Sequence, residues 1–326
     1  MQIETIDKPQ TRSTVATMNA VRVHRYGGPE VLSYEQVQFP QPGPGEVLIR
    51  ARAAGVNPLD WKFRNGYVKD LIPLPLPAIP GWDFAGVVAA TGAFVEGLQP
   101  GDEVFGMSDL SRGGAYAEYI VVQDSEVALK PTSIDYLRAA AIPVSALTAW
   151  QSLFDAAELS AGQSVLIHGA AGGVGSFASQ LAKWRGAYVI GTASEHNHQF
   201  VRRLGVDEVI DYRTTRFEEN FRNIDVVLDA VGRRTQQRSW KALKPGGMLV
   251  SVVSAPSAED ALANGVRHAF VFVQPNALQL DKITDLVDSG VIQPFVQTVF
   301  PLSEAGVAHQ LSQAHHARGK IVLRID

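Results

Sequence analysis

The chain has 326 residues, 46% of them hydrophobic, and a formal net charge of -4. A chain of this length predicts two domains, and its mixed charges give no basic field for binding nucleic acid or an anionic membrane, which leaves a small molecule as the expected partner. The chain contains no cysteine, which excludes disulfides, thiolate catalysis and zinc sites built on Cys ligands.

The first half of the chain has the pattern of a β-rich domain. Residues 1–17 are polar and lack the apolar core of a signal peptide, so we expect a flexible N-terminal tail, with Met18 as an alternative start. From Ala20 to about Pro131, short apolar runs are broken by Gly and Pro, which predicts many short strands and turns. Because no apolar window approaches the length of a membrane span, we expect no membrane partner and a cytoplasmic location.

The second half alternates helical runs with apolar strands, such as SVLIHGA, YVIGTAS, IDVVLDAVG and GMLVSVVS. This alternation predicts βαβ units around a parallel sheet. After Gly290 come a helix-like run at 303–319 and a closing strand at 320–326, together too short to form a domain. His309, His315 and His316 share that run at a spacing that does not favour a metal site.

A glycine-rich stretch, VLIHGAAGGVGSFASQLAK, follows the first of these strands. Ala170, Gly172 and Gly175 take the three positions of a G-x-G-x-x-G fingerprint, between a predicted strand at 164–168 and a predicted helix at about 175–183. Glycines there let backbone N–H groups approach a diphosphate at the positive end of the helix. The alternative is a tight turn without a ligand.

The end of the second strand indicates which dinucleotide binds. An NAD-preferring site has Asp or Glu there, yet residues 189–194 contain no acid, although Glu195 follows directly. Thr192 and Ser194 can donate to a phosphate, and Arg202 with its neighbouring arginine can add charge. The sequence therefore predicts NADPH; the alternative is that the two arginines form only a solvated helix face.

The motifs GVNPLDW, IPGWDFAGVV, GDEVFG, GAYAEY, LTAWQSL, HGAAGGVGSFASQLAK, LGVDEVIDY, KPGG and GKIVL, in this order, resemble the medium-chain dehydrogenase/reductase superfamily. More narrowly, they resemble its zinc-independent, zeta-crystallin-like quinone oxidoreductase group. The resemblance implies an α/β protein with a GroES-like β-barrel catalytic domain at 18–143 and 292–326. It also implies a doubly wound, parallel-sheet Rossmann domain at 144–291 that binds NADPH, and it suggests a homodimer.

The resemblance and the spacing together give a set of expected cofactor contacts. Asn197 stands where related NADPH enzymes often have a Lys that assists at the 2′-phosphate, and for Lys320 the alternative is a structural role. The expected cofactor-binding residues are Thr148, Ala171, Gly172, Gly173, Val174, Gly175, Thr192, Ser194, Asn197, Arg202, Tyr212, Gly232 and Lys320.

The zinc ligands of related dehydrogenases are replaced in this chain. Asn57 stands where they have a Cys, and Gly81, Trp82 and Asp83 stand where they have a Gly-His-Glu motif. Without such a Lewis acid we expect an acceptor that is itself electrophilic, namely a quinone or a conjugated enone or enal. The function expected is therefore metal-independent hydride transfer from NADPH to such an acceptor.

A hydrogen-bond donor at the acceptor oxygen would assist this transfer. The candidates for that donor are, in order, Asn57, Arg64 and Tyr67. The residues expected to line the substrate pocket are Asp60, Trp82 and Phe272. Each has an alternative: a local turn for Asn57, a helix cap for Asp60, barrel core for Trp82 and a surface charge for Arg64.

Two other functions remain open from the sequence. One is a dedicated C=C reductase that acts on enones, alkenals or enoyl intermediates. The other, of a different class, is an NADPH-binding sensor or structural protein with little catalysis.

Overall fold

The structure is a computed structural model that describes residues 16–314 and 317–326. The predicted N-terminal tail lies, up to Val15, outside the described residues, as do His315 and His316. Thr17, which the prediction includes in the tail, is the first residue of a strand. Its neighbour Met18 is buried in that strand.

The described residues form strands and helices that alternate along the second half of the chain. The strands are β1 (Thr17–Val23), β2 (Leu32–Gln38), β3 (Glu46–Val56), β4 (Asp83–Thr91), β5 (Glu103–Met107), β6 (Tyr119–Gln123), β7 (Val127–Leu129), β8 (Ser164–His168), β9 (Tyr188–Ala193), β10 (Glu208–Asp211), β11 (Ile224–Asp229), β12 (Leu243–Ser251), β13 (Arg267–Phe270), β14 (Val296–Pro301) and β15 (Lys320–Arg324). The helices are α1 (Pro58–Arg64), α2 (Tyr136–Ala139), α3 (Pro143–Trp150), α4 (Gly173–Trp184), α5 (His198–Arg203), α6 (Phe217–Asn220), α7 (Arg233–Ser239), α8 (Ala258–Ala263), α9 (Ala277–Asp288) and α10 (Ala305–Gln313).

Strands β3 to β7 of the first half and the two last strands form a seven-stranded sheet in the order β14-β15-β3-β4-β5-β7, with β6 paired to β3. The first two strands, β1 and β2, pair antiparallel in a separate two-stranded sheet. The chain-terminal strand β15 lies antiparallel to β3, with Ile321 opposite Val56. This register places Lys320 beside Asn57, the residue that follows β3. The end of the chain therefore belongs to the same sheet as the GroES-like region.

The strands of the second half form a six-stranded sheet in the order β10-β9-β8-β11-β12-β13. All of its pairings are parallel. Its central strands are almost continuous apolar runs because helices cover both faces. The predicted α/β fold with a doubly wound sheet is confirmed, and the order reverses beside β8, where such sheets bind ligands at the strands' carboxyl ends.

Backbone contacts join the two sheets' ends at one place. The amide of Gly319 donates to the carbonyl of Ala171 over 2.9 Å, and Gly319 forms a parallel bridge with Gly172. The chain just before β15 therefore touches the loop just after β8. The predicted domain limits, 143/144 and 291/292, stay a prediction.

Helix length and character also bear on the membrane prediction. Among residues 16–314 and 317–326, no helix combines the length and the apolar character that a membrane crossing requires.

Candidate active site

The glycine loop forms the start of α4. Gly172 is the N-cap residue, and no side chain caps the helix there. The first amides of an α-helix have no partner within the helix, and here they begin at Gly173, so they are available to a ligand. An uncapped, twelve-residue helix preceded by glycines has the donors and the dipole that a diphosphate requires.

Two glycines of this loop are surrounded at different distances. A Cβ on Gly175 would lie 2.2 Å from the carbonyl oxygen of Gly169, so this residue lets α4 pack closely on the loop that follows β8. A Cβ on Gly173 would lie 3.0 Å from Ser145 Oγ and 3.1 Å from Lys320 Cδ, which are side-chain atoms that can move. Gly175 therefore serves packing, whereas Gly173 keeps space at the helix start.

Asn57 lies at the other side of this space, at the N-terminus of α1. Its Nδ2 donates to Asp83 Oδ2 over 2.9 Å, and its Oδ1 accepts from Lys320 Nζ. Lys320 Nζ also donates to Asp83 Oδ2 over 2.9 Å, and all three side chains are buried. Both ends of its amide therefore bind residues from distant strands, in addition to the capping box that Asn57 and Asp60 form at the start of α1.

The same lysine is one of the predicted cofactor contacts. Its ammonium lies on Asn57 and Asp83, and its contact with the cofactor stays a prediction. Only its aliphatic stem, at Cδ, lies beside Gly173. Lys320 thus connects the glycine loop to Asn57 without directing its charge at the loop.

Asp60, in the first turn of α1, supports Asn57 from below. Its Oδ2 accepts from the backbone N–H of Asn57 over 2.5 Å and from Tyr116 Oη over 2.9 Å. The side chain is fully buried and caps α1, which is the alternative given for it. The prediction that Asp60 lines a substrate pocket is therefore wrong. Burial raises its pKa to about 7, against the opposing effects of the two hydrogen bonds and of Lys320.

A chain of buried polar groups continues from Asp60 to Arg64. Tyr116 Oη lies 3.2 Å from His309 Nε2, and His309 Nδ1 lies 3.4 Å from Arg64 Nη1. Arginine only donates, so His309 accepts at Nδ1 and donates at Nε2. Burial, and then the charge of Arg64, lower the pKa of His309 to about 3, which keeps it neutral.

Arg64 is therefore a structural residue and not a donor to the acceptor. It is 0% exposed, and its remaining donors bind Gly27 O, Asn65 Oδ1 and Gln313 Oε1. It links α1 to α10 within the barrel half. Neither the predicted catalytic role nor the alternative of a surface charge fits these contacts.

Tyr67 differs from Arg64 in its environment. Its side chain is 72% exposed and contacts the edge of Trp61 at a ring distance of 6.2 Å. No hydrogen bond from the described residues directs its hydroxyl toward Asn57. A donor role for Tyr67 stays a prediction.

The two aromatic residues predicted in the pocket have different surroundings. Trp82 is fully buried, donates through Nε1 to Leu110 O over 3.3 Å and packs edge-on against Phe63, so it belongs to the core. Phe272 is partly buried and lies in the loop after β13. The prediction of Trp82 as pocket wall is wrong, while that of Phe272 stays a prediction.

Gln151, which sequence reasoning missed, holds the loop of Phe272. Its Nε2 donates to Gln274 O over 2.8 Å and its Oε1 accepts from Gln274 N over 3.0 Å. Gln151 begins a π-helical turn, Gln151–Ala156, that continues α3. Thr148, one turn earlier, is buried, and its hydroxyl donates to Val144 O. The sequence signal for Gln151 is only its position in LTAWQSL.

Gly232 lies in the loop that follows β11. It has a φ of 79°, which favours glycine, and its amide donates to Asp229 Oδ1 over 2.7 Å. Asp229 also accepts from Ser251 Oγ and Gln236 Nε2. The loop backbone is thereby fixed at the carboxyl end of the sheet.

Beyond the glycine loop, the end of β9 carries the residues predicted for the 2′-phosphate. Thr192 does not fit the predicted contact with the phosphate, because its side chain is buried. Its Oγ1 lies 3.2 Å from Gly169 N and 3.3 Å from His168 Nδ1, so it holds the loop after β8. Ser194 and Asn197 remain together, with Asn197 Nδ2 donating to Ser194 Oγ over 3.3 Å. Arg202 is exposed in the last turn of α5.

An arginine that sequence reasoning missed lies beside the predicted Tyr212. The register pairs Asp211 with Ala193, which brings the residues after β10 next to Ser194. Tyr212 is 51% exposed, and the guanidinium of Arg213 lies 5.7 Å from the centre of its ring. The signal was present in the sequence run VIDYR, where Arg213 follows the tyrosine.

Known proteins resemble this chain over almost its whole length. Residues 43–132 match the family model described as "Alcohol dehydrogenase GroES-like domain", and residues 204–323 match "Zinc-binding dehydrogenase". The mitochondrial NAD(P)H oxidoreductase RTN4IP1 of Mus musculus is 35% identical, over 98% of this chain and 92% of the relative. The chloroplastic NADPH-dependent alkenal/one oxidoreductase of Arabidopsis thaliana is 37% identical, over 91% of this chain and 77% of the relative.

A solved structure agrees with these relatives. The Escherichia coli quinone oxidoreductase complexed with NADPH superimposes with a TM-score of 0.86 at 30% identity, over 94% of this chain and 100% of that chain. The chain belongs to the medium-chain dehydrogenase/reductase superfamily. Within it, the predicted membership of the zinc-independent quinone oxidoreductase group is confirmed.

Zinc, which some members of this superfamily hold, does not fit the donors present here. The amide of Asn57 and the carboxylate of Asp83 are already bound to the ammonium of Lys320, and a cation there repels a second one. Within the described ranges, no three His, Cys, Asp or Glu side chains lie close enough to hold a metal ion.

The two glycines of the superfamily loop should respond differently to alanine. We expect Gly175→Ala to lower the free energy of unfolding by about 1–3 kcal/mol, because the new methyl group meets backbone that cannot retreat. Gly173→Ala should fold almost normally, because only side chains must shift, but should weaken NADPH binding. Thermal unfolding and fluorescence titration measure both effects; equal unfolding losses would contradict the assignment.

Asp60 should make stability depend on pH. Its carboxyl has an ordinary pKa of 3.8 and a raised pKa of about 7 in the fold, so the folded chain binds the proton more strongly. Between these two values, rising pH therefore lowers the stability of the wild type relative to Asp60→Asn, by on the order of a few kcal/mol, and above them the difference levels off. Chemical unfolding of both proteins at several pH values measures this difference.

Glu126 is the control for this measurement. Burial also raises its pKa to about 7, and its carboxylate accepts from the backbone amides of Gln123 and Asp109. Glu126→Gln should remove a separate part of the dependence of the unfolding free energy on pH, so the effects of the two substitutions on this dependence should add. A wild type and an Asp60→Asn variant with parallel pH profiles would contradict the assigned burial of Asp60.

Proposed function

We propose that this protein is an NADPH-dependent, metal-independent oxidoreductase that reduces quinones or conjugated enones and enals. The observation that carries the proposal is the position of the Asn57 amide, fixed by Lys320 and Asp83 beside the uncapped start of α4. When bound, NADPH supplies the hydride. The fold relation to a quinone oxidoreductase that binds NADPH, and the identity with an alkenal/one oxidoreductase, support the same reaction class.

The residues at this place can stabilise the charge that the reaction creates. The acceptor gains a hydride, and its oxygen gains a negative charge that spreads over an enolate or an aromatic diolate. Asn57 Nδ2 gives one of its two hydrogens to Asp83, and the described residues provide no acceptor for the other. That hydrogen can bind the acceptor oxygen, and water then supplies the proton.

The amides at the start of α4 would hold the diphosphate of the cofactor, and the loop of Phe272 would lie at its reactive end. We assign the diphosphate to Ala171, Gly172, Gly173, Val174 and Gly175. Thr148, Gly232 and Phe272 are assigned to the reactive end. Gln151 holds the backbone of that loop, so it acts on the cofactor's orientation without touching it.

The preference for NADPH is assigned to the residues at the ends of β9 and β10. Ser194, Asn197 and Tyr212 supply neutral hydrogen-bonding groups, and the structure adds the guanidinium of Arg213 beside them. A guanidinium matches a phosphate in charge and geometry. Arg213 thus supplies the positive charge that related enzymes have in a lysine at the position of Asn197.

A C=C reductase is the second candidate. The Arabidopsis relative's name gives it alkenal and enone acceptors, and that relative shares more identical residues with this chain than the Escherichia coli quinone oxidoreductase does.

The predicted homodimer and cytoplasmic location stay predictions. The names of two relatives place them in mitochondria and in chloroplasts.

Arg213→Gln should lower the affinity for NADPH about tenfold and leave the affinity for NADH unchanged, because only NADPH has the 2′-phosphate that the guanidinium binds. Fluorescence titration with both cofactors measures the two affinities. Arg222→Gln is the control, since Arg222 is an exposed arginine that binds Lys241 O at the far end of the sheet. Equal losses for NADPH and NADH would contradict the assignment.

The acceptor class is tested by following NADPH oxidation with 1,4-benzoquinone, trans-2-hexenal, a cyclic enone and a simple saturated aldehyde, and by following NADP⁺ reduction with an alcohol. We expect turnover of the quinone, the enal or the enone and none of the last two, because no Lewis acid activates them. Turnover of hexenal alone would favour the C=C reductase. Tight NADPH binding without any oxidation would instead indicate a sensor or structural protein.

A further inference from the structure

Lys320 and Asp83 bind the Asn57 amide at opposite atoms. Lys320 Nζ donates to Asn57 Oδ1, and Asn57 Nδ2 donates to Asp83 Oδ2 over 2.9 Å. An ammonium group only donates, and an ionised carboxylate only accepts. The orientation of the amide therefore follows from the chemistry of its two neighbours.

The opposite orientation of Asn57 is excluded by the same two groups. A rotation of the amide by half a turn would place its NH₂ against the ammonium and its oxygen against the carboxylate. Both contacts would be repulsive, and both would leave buried polar atoms without partners, which is costly inside a protein. The second hydrogen of Nδ2 therefore has one direction available to it.

The positions of Lys320 and Asp83 are themselves fixed by the fold. Asp83 Oδ1 accepts from the amide of Val144, in the first turn of α3, over 2.6 Å. Lys320 is held by the pairing of β15 with β3 and passes along Gly173 at the start of α4. The position of the Asn57 amide is thus fixed through Asp83 relative to α3, which carries Thr148, and through Lys320 relative to the glycine loop.

We propose that Lys320 and Asp83 are positioning residues for hydride transfer, which act by holding the Asn57 amide so that its second N–H faces the acceptor oxygen. This inference rests on the proposed function. It differs from a merely structural role of the ion pair, because it requires that the pair acts on the reaction through Asn57. Removing Asn57 should therefore remove the effect of the pair.

A double-mutant cycle tests this requirement. Asn57→Ala should lower kcat/KM on the order of a hundredfold with 1,4-benzoquinone or trans-2-hexenal, because it removes the donor. Lys320→Met should lower it at least about tenfold, because the amide loses its fixed orientation. The combined variant should be no slower than Asn57→Ala alone, with the affinity for NADPH within about threefold of the wild type throughout.

A matched lysine controls for the loss of a buried charge. Lys130 is also buried, and its partners are Pro131 O, Ile134 O and Glu103 instead of Asn57 and Asp83. Lys130→Met should destabilise the fold but leave kcat/KM within about twofold of its starting value in both the wild type and Asn57→Ala. If Lys320→Met does not fold, Asp83→Asn with Lys320→Met removes both charges and replaces it in the cycle.

The outcomes separate this inference from the proposed function. Effects of Asn57→Ala and Lys320→Met that multiply would overturn the positioning role, even in an active enzyme. Wild-type kinetics for Lys320→Met would overturn it as well. A wild type that binds NADPH but reduces none of the acceptors would overturn the proposed function, and this inference with it.

Discussion

The ion pair between Lys320 and Asp83 is the interaction on which the arrangement of the site depends. Burying two charges is expensive, and attraction between them compensates only when hydrogen bonds satisfy the remaining atoms. Here Asp83 accepts from Lys320, Asn57 and the amide of Val144. The pair therefore stabilises only the fold in which β3, β4, α3 and β15 meet, and a barrel lacking its last strand would leave Asp83 without its cation.

The glycine loop depends on the same meeting point. Gly319, directly before Lys320, donates to Ala171 and bridges Gly172, while the stem of the lysine lies along Gly173. The loop that would hold the diphosphate and the amide proposed to bind the acceptor are thus connected through two consecutive residues. In the proposed reaction this connection would set the distance over which the hydride moves, and a small displacement is enough to slow such a transfer.

Local patterns predicted the fold and the glycine loop well. The run before Gly169 and the fingerprint after it require only short-range chemistry, and α4 begins two residues before its predicted start. The roles of Arg64, Thr192 and Lys320 could not be predicted in this way. Each is decided by partners distant in the sequence, His309, Gly169 and Asp83 respectively, and a sequence does not show which polar residues become buried together.

A buried ammonium group bound to Asn57 and Asp83, where related dehydrogenases have zinc ligands, supports the proposal of an acceptor that is itself electrophilic. A zinc ion binds the reacting oxygen directly and carries the developing charge. The ammonium of Lys320 is already bound to Asn57 and Asp83, so in the proposed mechanism the donor to the acceptor is the neutral amide N–H of Asn57. One neutral hydrogen bond stabilises an oxyanion far less than a metal does, so most of the charge must be delocalised within the acceptor itself. Quinones and conjugated carbonyl compounds meet this condition, and saturated aldehydes do not.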